Sequence, residues 1–547
     1  MRLPGGVPTA HIDGFARELL PPVELWPQFD YSASHLCHYP DRLNAGSALI
    51  DTAVADGFGA KPVYHYLDGT WNFAHLQDQA NRIARVLVED YGLVPGNRVL
   101  LRSGNTPMLA ACWLAVLKAG GICVTTMPLL RARELAYIIE KVQIRIALSE
   151  IDLAEDMELT RAQAPGLDHI AYFTPLGDGR HSDANLDHAA ARKPAVFQAM
   201  ATAADDIALI TFTSGTSGHP KAAAHFHRDI LASADSWPLI YTIEPDEILC
   251  GSPSMAFTYG MATFLIYPMR YRVTAVLLPR PTPDQILEAI ERHRATSLYT
   301  VPTSYHAVLQ ELGRYDISSL RKCTSAGEHL RPSLWEDWRE ATGLRIVNAL
   351  GMTEFLTHFI SETLAVDHPG SIGRAIPGYT ACVLDEEFNV LPPGNRGLLA
   401  VRGPTGGRYL GDIERQRNFV RNGWNVTGDI MDQDAEGWFW YVDRSDNMII
   451  SSGYNISAQE VEEVIAGHPM VAECAVVSVP DPVRGNVVRA CIVLAEGFRA
   501  NDQTARDIQD YVKATIAPYK YPRDIKFMDE LPRTQTGKIQ RFRLREL

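Results

Sequence analysis

No two cysteines in this chain stand close enough to form a C-x-x-C motif; the eight are scattered, at 37, 112, 123, 250, 323, 382, 474 and 491. That spacing excludes a thiolate zinc cluster or a disulfide-stapled scaffold and points to a reduced, cytoplasmic setting. Long apolar runs are also missing. The strongest, MLAACWLAVLKAGG at residues 108–121, falls short of the ~20 residues that span a bilayer. The opening MRLPGGVPTAHIDGF lacks the apolar stretch of a secretory signal. Basic excess is absent as well: Lys and Arg total 51 against 65 Asp and Glu, a formal net charge of -14. Such a surface disfavours nucleic acid and membrane as partners. No internal repeat or low-complexity tract interrupts the chain.

What is present is an α/β pattern over a length, 547 residues, that exceeds one hydrophobic core. The first 45 residues are rich in proline and aromatics and are expected to wrap a core. WNFAHLQDQANRIARVLVEDYG sets Leu76, Ala80, Ile83 and Leu87 on one helical face, with Gly92 ending it. NRVLLRSG and GGICVTTM read as strands around the 108–119 helix, and DIALITF, 206–212, as a buried strand. PTPDQILEAIERHRATSLYTV reads as helix then strand, and LRIVNAL as another strand. This order predicts layered, mostly parallel sheets with helices. A strand-rich region follows at about 371–443. The last hundred residues predict a small α+β domain: a helix capped by Ser457 with Glu460 as a capping box, two alternating strands, a helix, and a basic tail. The boundary is expected at DRSDN, which divides the chain into 1–445 and 446–547.

The 206–212 strand runs into TFTSGTSGHPKAAAH, residues 211–225. Gly215 and Gly218 let backbone N–H groups converge on an anion, Thr213, Ser214, Thr216 and Ser217 add donors, and Lys221 adds a point charge. This is not the common P-loop, which ends G-K-[ST]. On composition the stretch reads equally as a phosphate cradle or a flexible surface loop.

Residues 213–221 meet, position by position, the pattern [ST]-[ST]-G-[ST]-[ST]-G-x-P-K of the adenylate-forming superfamily, which includes acyl-CoA synthetases, and the chain resembles that family over almost its whole length. The resemblance implies ATP β- and γ-phosphate binding by this loop. TSAGEHL resembles the segment lining adenine and the acyl pocket, with Ser325, Ala326, Gly327 and Glu328. NALGMTEF resembles the motif in which Thr353 touches the α-phosphate and Glu354 holds Mg²⁺; Leu350 stands where a tyrosine is frequent. In NVTGDIMDQDAEGWFWYVDRSDNMI, Asp429 and Arg444 match the ribose contacts and Asp446 the hinge. SSGYNISAQEVE matches the loop that brings Gly453 to the pantetheine tunnel. LPRTQTGKIQR matches the terminal signature, making Lys538 the catalytic lysine of adenylation.

The implied reaction is an AMP-forming one, with ATP, Mg²⁺ and coenzyme A as cofactors. A carboxylate attacks the α-phosphate, the small mobile domain rotates about Asp446, and a thiol takes the acyl group. For the acid, SPSMAFTYGMAT resembles one wall of the acyl pocket. Its Ala256, Phe257, Thr258 and Tyr259 offer no carboxylate to an α-ammonium, which makes an α-amino acid costly to bury. Phe226, Phe257, Tyr259, Gly260, Gly327 and His358 are expected to bind the acid, and His225 to take part in catalysis. DGFARELLPPVELWPQFDY, YPDRLNAG and HFHRDIL resemble the 2-aminobenzoate (anthranilate) CoA ligases, kin of the benzoate CoA ligases. That resemblance implies a small aromatic acid, anthranilate, as substrate. The alternatives are benzoate, a medium-chain carboxylate, or loading of a separate acyl carrier protein; monomer and homodimer stay open.

Overall fold

The computed structural model describes residues 7–547 apart from 37, 68, 214–219, 280, 366, 367, 369, 445–447 and 533–538. Two large sheets carry the N-terminal part. One runs Arg374–Ala375, Thr357–Ser361, Ile346–Met352, Lys322–Ser325, Ser297–Thr300, Ile248–Gly251, Thr274–Leu277, Pro62–Tyr66, Gly69–Asn72. Its inner strands are parallel and both edges are closed by antiparallel hairpins. The other runs His169–Phe173, Ile146–Glu150, Arg98–Arg102, Ile122–Thr126, Ile207–Thr213, Lys221–Phe226, parallel except for the last strand.

Helices Phe73–Arg85 and Pro107–Lys118 share one apolar core with strand residues of both sheets, among them Val99, Leu101, Ala275 and Leu277. The second helix is buried at every residue, which is why its sequence is apolar all round rather than amphipathic. Its start is fixed by Thr106, whose hydroxyl accepts the Leu109 N–H at 3.2 Å.

A five-stranded antiparallel sheet comprises Thr380–Leu384, Arg396–Arg402, Trp424–Gln433, Val420–Arg421 and Phe439–Arg444. Beyond it lie the hairpin Met448–Ser451/Tyr454–Ser457 and the three-stranded sheet Val471–Asp481, Gly485–Leu494, Asp524–Phe527, with helices Ala458–Ala466 and Asp502–Thr515 against it. The fold class is therefore a large α/β domain with a β-rich portion and a smaller C-terminal domain.

The strands on either side of the glycine-rich stretch, Ile207–Thr213 and Lys221–Phe226, pair antiparallel. Two local expectations change. The amphipathic 73–90 helix changes winding at Val86–Asp90 before Gly92 at φ +66° ends it. At the 458 helix, Ser457 Oγ accepts the Glu460 N–H at 3.2 Å, but the Glu460 side chain turns to Lys520, 2.7 Å away, so only half of the expected capping box forms. The Pro- and aromatic-rich N-terminal arm does wrap a core: Trp26 and Phe29 lie against the buried Arg408 guanidinium, 5.3 and 4.2 Å from their ring centres.

Candidate active site

Parallel strands from both sheets end at one place. Ile346–Met352 delivers Thr353 and Glu354, Lys322–Ser325 delivers Ala326 to Glu328, Ile248–Gly251 leads to 256–259, and Ile207–Thr213 leads to the glycine loop. Their carboxyl ends line a cavity of about 880 Å³, where ligands of parallel α/β sheets gather. It is closed on the far side by Asp429 and Arg444 and by the C-terminal residues Gly453, Tyr454 and Lys520.

Glu354 is 3% exposed. The Tyr409 hydroxyl donates to its Oε1 at 2.5 Å, and burial, with the Glu354 charge second, holds that phenol far above its usual range, so it stays a donor. Lys221 Nζ sits 5.4 Å from the centre of the Tyr409 ring. One aromatic side chain thus connects the end of the glycine loop to the buried carboxylate. Gly407 allows this approach, since a Cβ there would lie 3.3 Å from Glu354 Cγ. No cluster of three or more His, Cys, Asp or Glu that could hold a metal occurs among the described residues. A lone carboxylate in a cavity fits a hard cation such as Mg²⁺ only when phosphate oxygens complete its shell.

Asp429 and Arg444 are cross-strand partners in the hairpin Trp424–Gln433/Phe439–Arg444, and Arg444 Nη1 donates to Asp429 Oδ1 at 2.9 Å. A carboxylate and a rigid donor fork are so fixed side by side on the cavity wall.

The wall around His358 is aromatic. Tyr259 and Trp237 approach the His358 ring edge-on, at 5.2 and 5.1 Å between centroids. The Tyr259 hydroxyl donates to the Thr324 carbonyl at 3.1 Å. Burial lowers His358 to about 4, so its imidazole is neutral at pH 7, and its Nδ1 has no hydrogen-bond partner. Tyr267, with an unpartnered hydroxyl, Ala262 and Met352 complete this wall.

Of the residues singled out in the sequence, Thr213, Lys221, Ala326, Gly327, Glu328, Thr353, Glu354, Asp429, Arg444, Gly453, Phe257, Tyr259 and His358 line this cavity. Four do not. His225 lies wholly inside the sheet, with Nε2 3.0 Å from Thr211 Oγ1, and burial lowers it to about 3; it stands four residues further along the strand than Lys221, under the packed core rather than at the cavity. Phe226 is equally buried, its ring against the Arg408 guanidinium at 4.0 Å. The Ser325 side chain is buried in the Lys322–Ser325 strand. Gly260 is a close-approach position, where a Cβ would meet the Ser254 carbonyl at 2.2 Å. Ser214, Gly215, Thr216, Ser217, Gly218, Asp446 and Lys538 fall outside the described residues. The sequence reading missed Tyr409; GGRYLG, an aromatic behind paired glycines, was its only signal.

A family model described as AMP-binding enzyme matches residues 52–409, and one described as AMP-binding enzyme C-terminal domain matches 460–538. The chain belongs to the AMP-binding enzyme family. It is 32% identical over 512 residues to the benzoate–CoA ligase of Thauera aromatica, covering 92% of this chain and 96% of the relative. It is 33% identical over 506 residues to the mitochondrial acyl-coenzyme A synthetase ACSM5 of Homo sapiens, covering 88% and 86%. Among solved structures it is similar to the anthranilate CoA ligase AuaEII in complex with anthranoyl-AMP, with TM-score 0.72, 30% identity, and 93% and 98% of the two chains covered.

Membership of the AMP-binding family makes this protein an AMP-forming ligase of the acyl-adenylate and acyl-CoA type, acting on a small carboxylic acid with ATP, Mg²⁺ and coenzyme A. No helix of the described residues is long and apolar enough to cross a membrane.

Proposed function

We propose that the protein is an aryl-acid:CoA ligase whose acid is anthranilate. The observation that carries this reading is the aromatic wall around His358, whose buried Nδ1 has no hydrogen-bond partner. Edge-on rings favour a flat aryl group, and a neutral imidazole offers hydrogen bonding to an uncharged ring substituent without demanding a counter-charge. An aryl amine, uncharged at pH 7, meets that condition. The likeness to AuaEII supports the same acid, and the likeness to the Thauera ligase supports a benzoate-sized ring. A second reading, an aliphatic acid in the same slot, is favoured by the likeness to ACSM5.

In this reading residues 1–445 bind ATP and the acid, and 446–547 form a lid turning about Asp446. The 213–221 loop and Lys221 hold the outer phosphates. Thr353 contacts the α-phosphate, and Glu354, positioned by Tyr409, holds Mg²⁺, whose bound form would neutralise phosphate charge. Asp429 and Arg444 take the ribose hydroxyls. Lys538 offsets charge between the carboxylate and the α-phosphorus as the anhydride forms and pyrophosphate leaves. The Gly453 hairpin then guides the thiol.

Pyrophosphate release and CoA-thioester formation, measured with anthranilate, benzoate, salicylate and octanoate, test the reading. Anthranilate is expected to have the highest kcat/KM. Octanoate ahead of every aryl acid would overturn it, and acid-independent pyrophosphate release would remove the ligase reading altogether.

A further inference from the structure

Glu328 is a half-buried carboxylate that makes no ion pair among the described residues, on the cavity wall where the two domains meet. Thr303 holds it: its N–H donates to Oε2 at 3.1 Å, and its hydroxyl lies within reach of both oxygens, 2.9 Å from Oε2 and 3.1 Å from Oε1. On the other side is the Gly453 hairpin, so close that a Cβ on Gly453 would lie 3.7 Å from Glu328 Oε1. The neighbouring cations are committed elsewhere. Arg331 Nη2 donates to the Asp481 carbonyl at 2.8 Å, and Arg484 Nη1 to Ser452 Oγ at 3.0 Å. Holding an ionised carboxylate out of water on these terms is unfavourable, and an uncharged Gln or Leu would spare that cost.

Resting on the acid:CoA ligase reading above, we propose that Glu328 is the group that takes the proton from the incoming thiol. The Glu328 carboxylate accepts the S–H proton as sulfur bonds to the acyl carbon. The bond from that carbon to the phosphate oxygen breaks, and AMP leaves with the electron pair. The position suits this role, because the hairpin and Glu328 face each other across the same opening. The environment is right too: burial pushes Glu328 up to about 7, with the Thr303 bonds and the fields of Arg484 and Arg331 acting against it. That is the range in which a base is still ionised at neutral pH yet strong enough to draw on a thiol of pKa ~8.5. The other groups facing it are few. The hairpin Met448–Ser457 carries no charged side chain, the helix Pro302–Leu309 brings Tyr305 and His306, and its own segment brings His329, whose ring stacks on Tyr441 at 5.6 Å.

The competing account is structural. Thr303 lies in the first turn of Pro302–Leu309, so Glu328 also caps that helix. Single-turnover thioester formation from supplied anthranoyl-AMP and CoA, between pH 5.5 and 8.5, separates the two. For the unsubstituted protein the rate should rise with pH and level off after an inflection near 7. Glu328→Gln, which keeps a hydrogen-bond acceptor for Thr303, should lose roughly 100-fold at pH 6.5. Its rate should keep climbing towards the thiol's own pKa, so the deficit shrinks at pH 8.5. Arg484→Gln removes a cation that lowers Glu328, and should move the inflection to higher pH; this arm does not depend on the Glu328 variant folding. A Glu328→Gln profile parallel to the parent's, or an inflection unmoved by Arg484→Gln, would overturn the proposal and leave the capping role. Thioester yield in the parent protein reports on the ligase reading itself, so the two can fail separately.

Discussion

A single hydroxyl organises the side of the cavity that holds Lys221 and Glu354. Tyr409 donates to Glu354 and lies beneath Lys221, and no charged partner of Glu354 competes for that bond among the described residues. A hydrogen bond to a buried charged group is worth about 1.5–3 kcal/mol. Tyr409→Phe keeps the ring under Lys221 and removes only the donor. ATP–pyrophosphate exchange is expected to fall roughly ten- to hundredfold, with a higher Mg²⁺ concentration needed for half-maximal rate. An unaltered Mg²⁺ dependence would mean that Tyr409 does not position the carboxylate. Lys221, Glu354, Asp429 and Arg444 were legible as cavity residues because each belongs to a short motif with fixed spacing. Tyr409 was not, since its meaning lies in a contact 55 positions away in sequence. His225 shows the converse: it follows the glycine-rich motif, yet four residues beyond Lys221 on the same strand its ring is already inside the core.

At the scale of elements, the hairpin Met448–Ser451/Tyr454–Ser457 turns on Ser452 and Gly453, both with positive φ, 48° and 80°. An added Cβ on Gly453 would stand 3.0 Å from Val301 Cγ1. Gly453→Ala combines a strained left-handed backbone, about 1 kcal/mol for a non-glycine residue, with that crowding. Thioester formation from supplied acyl-adenylate should slow about tenfold or more, while pyrophosphate exchange changes less. Equal losses in the two half-reactions would show that the hairpin does not serve the thiol step. Strand and helix positions were readable from alternation and 3.6-residue periodicity. The Ser457 cap was readable too, but not the fate of Glu460, because its partner belongs to the distant 518–520 turn.

Across the whole molecule, one buried cluster ties the two domains together. Lys520, 4% exposed, meets Glu134 at 2.5 Å and Glu460 at 2.7 Å, and Glu134 also accepts the Ala517 N–H at 3.1 Å. Burial alone would lower Lys520, but Tyr519, Glu134 and Glu460 reverse this and raise it, so it remains a cation. Removing one member of such a set leaves uncompensated buried charge, an effect of about 3–5 kcal/mol. Lys520→Met is therefore expected to depopulate the arrangement in which the Gly453 hairpin faces the cavity. The thioester half-reaction should slow at least tenfold, and adding Glu134→Gln should restore part of the loss. Additive losses in that double-mutant comparison would mean the two residues are not coupled.

The sequence by itself determined the family, the chemistry of acid activation and most of the residues that line the cavity, because short motifs and local periodicity are written in neighbouring positions. The tertiary structure alone decided which of those side chains reach the cavity, that a tyrosine joins the Glu354 carboxylate to Lys221, and that a lysine links the two domains. These depend on how deep each residue lies along its strand and on desolvated contacts between distant segments, which take effect only once the sheets have closed over a common core.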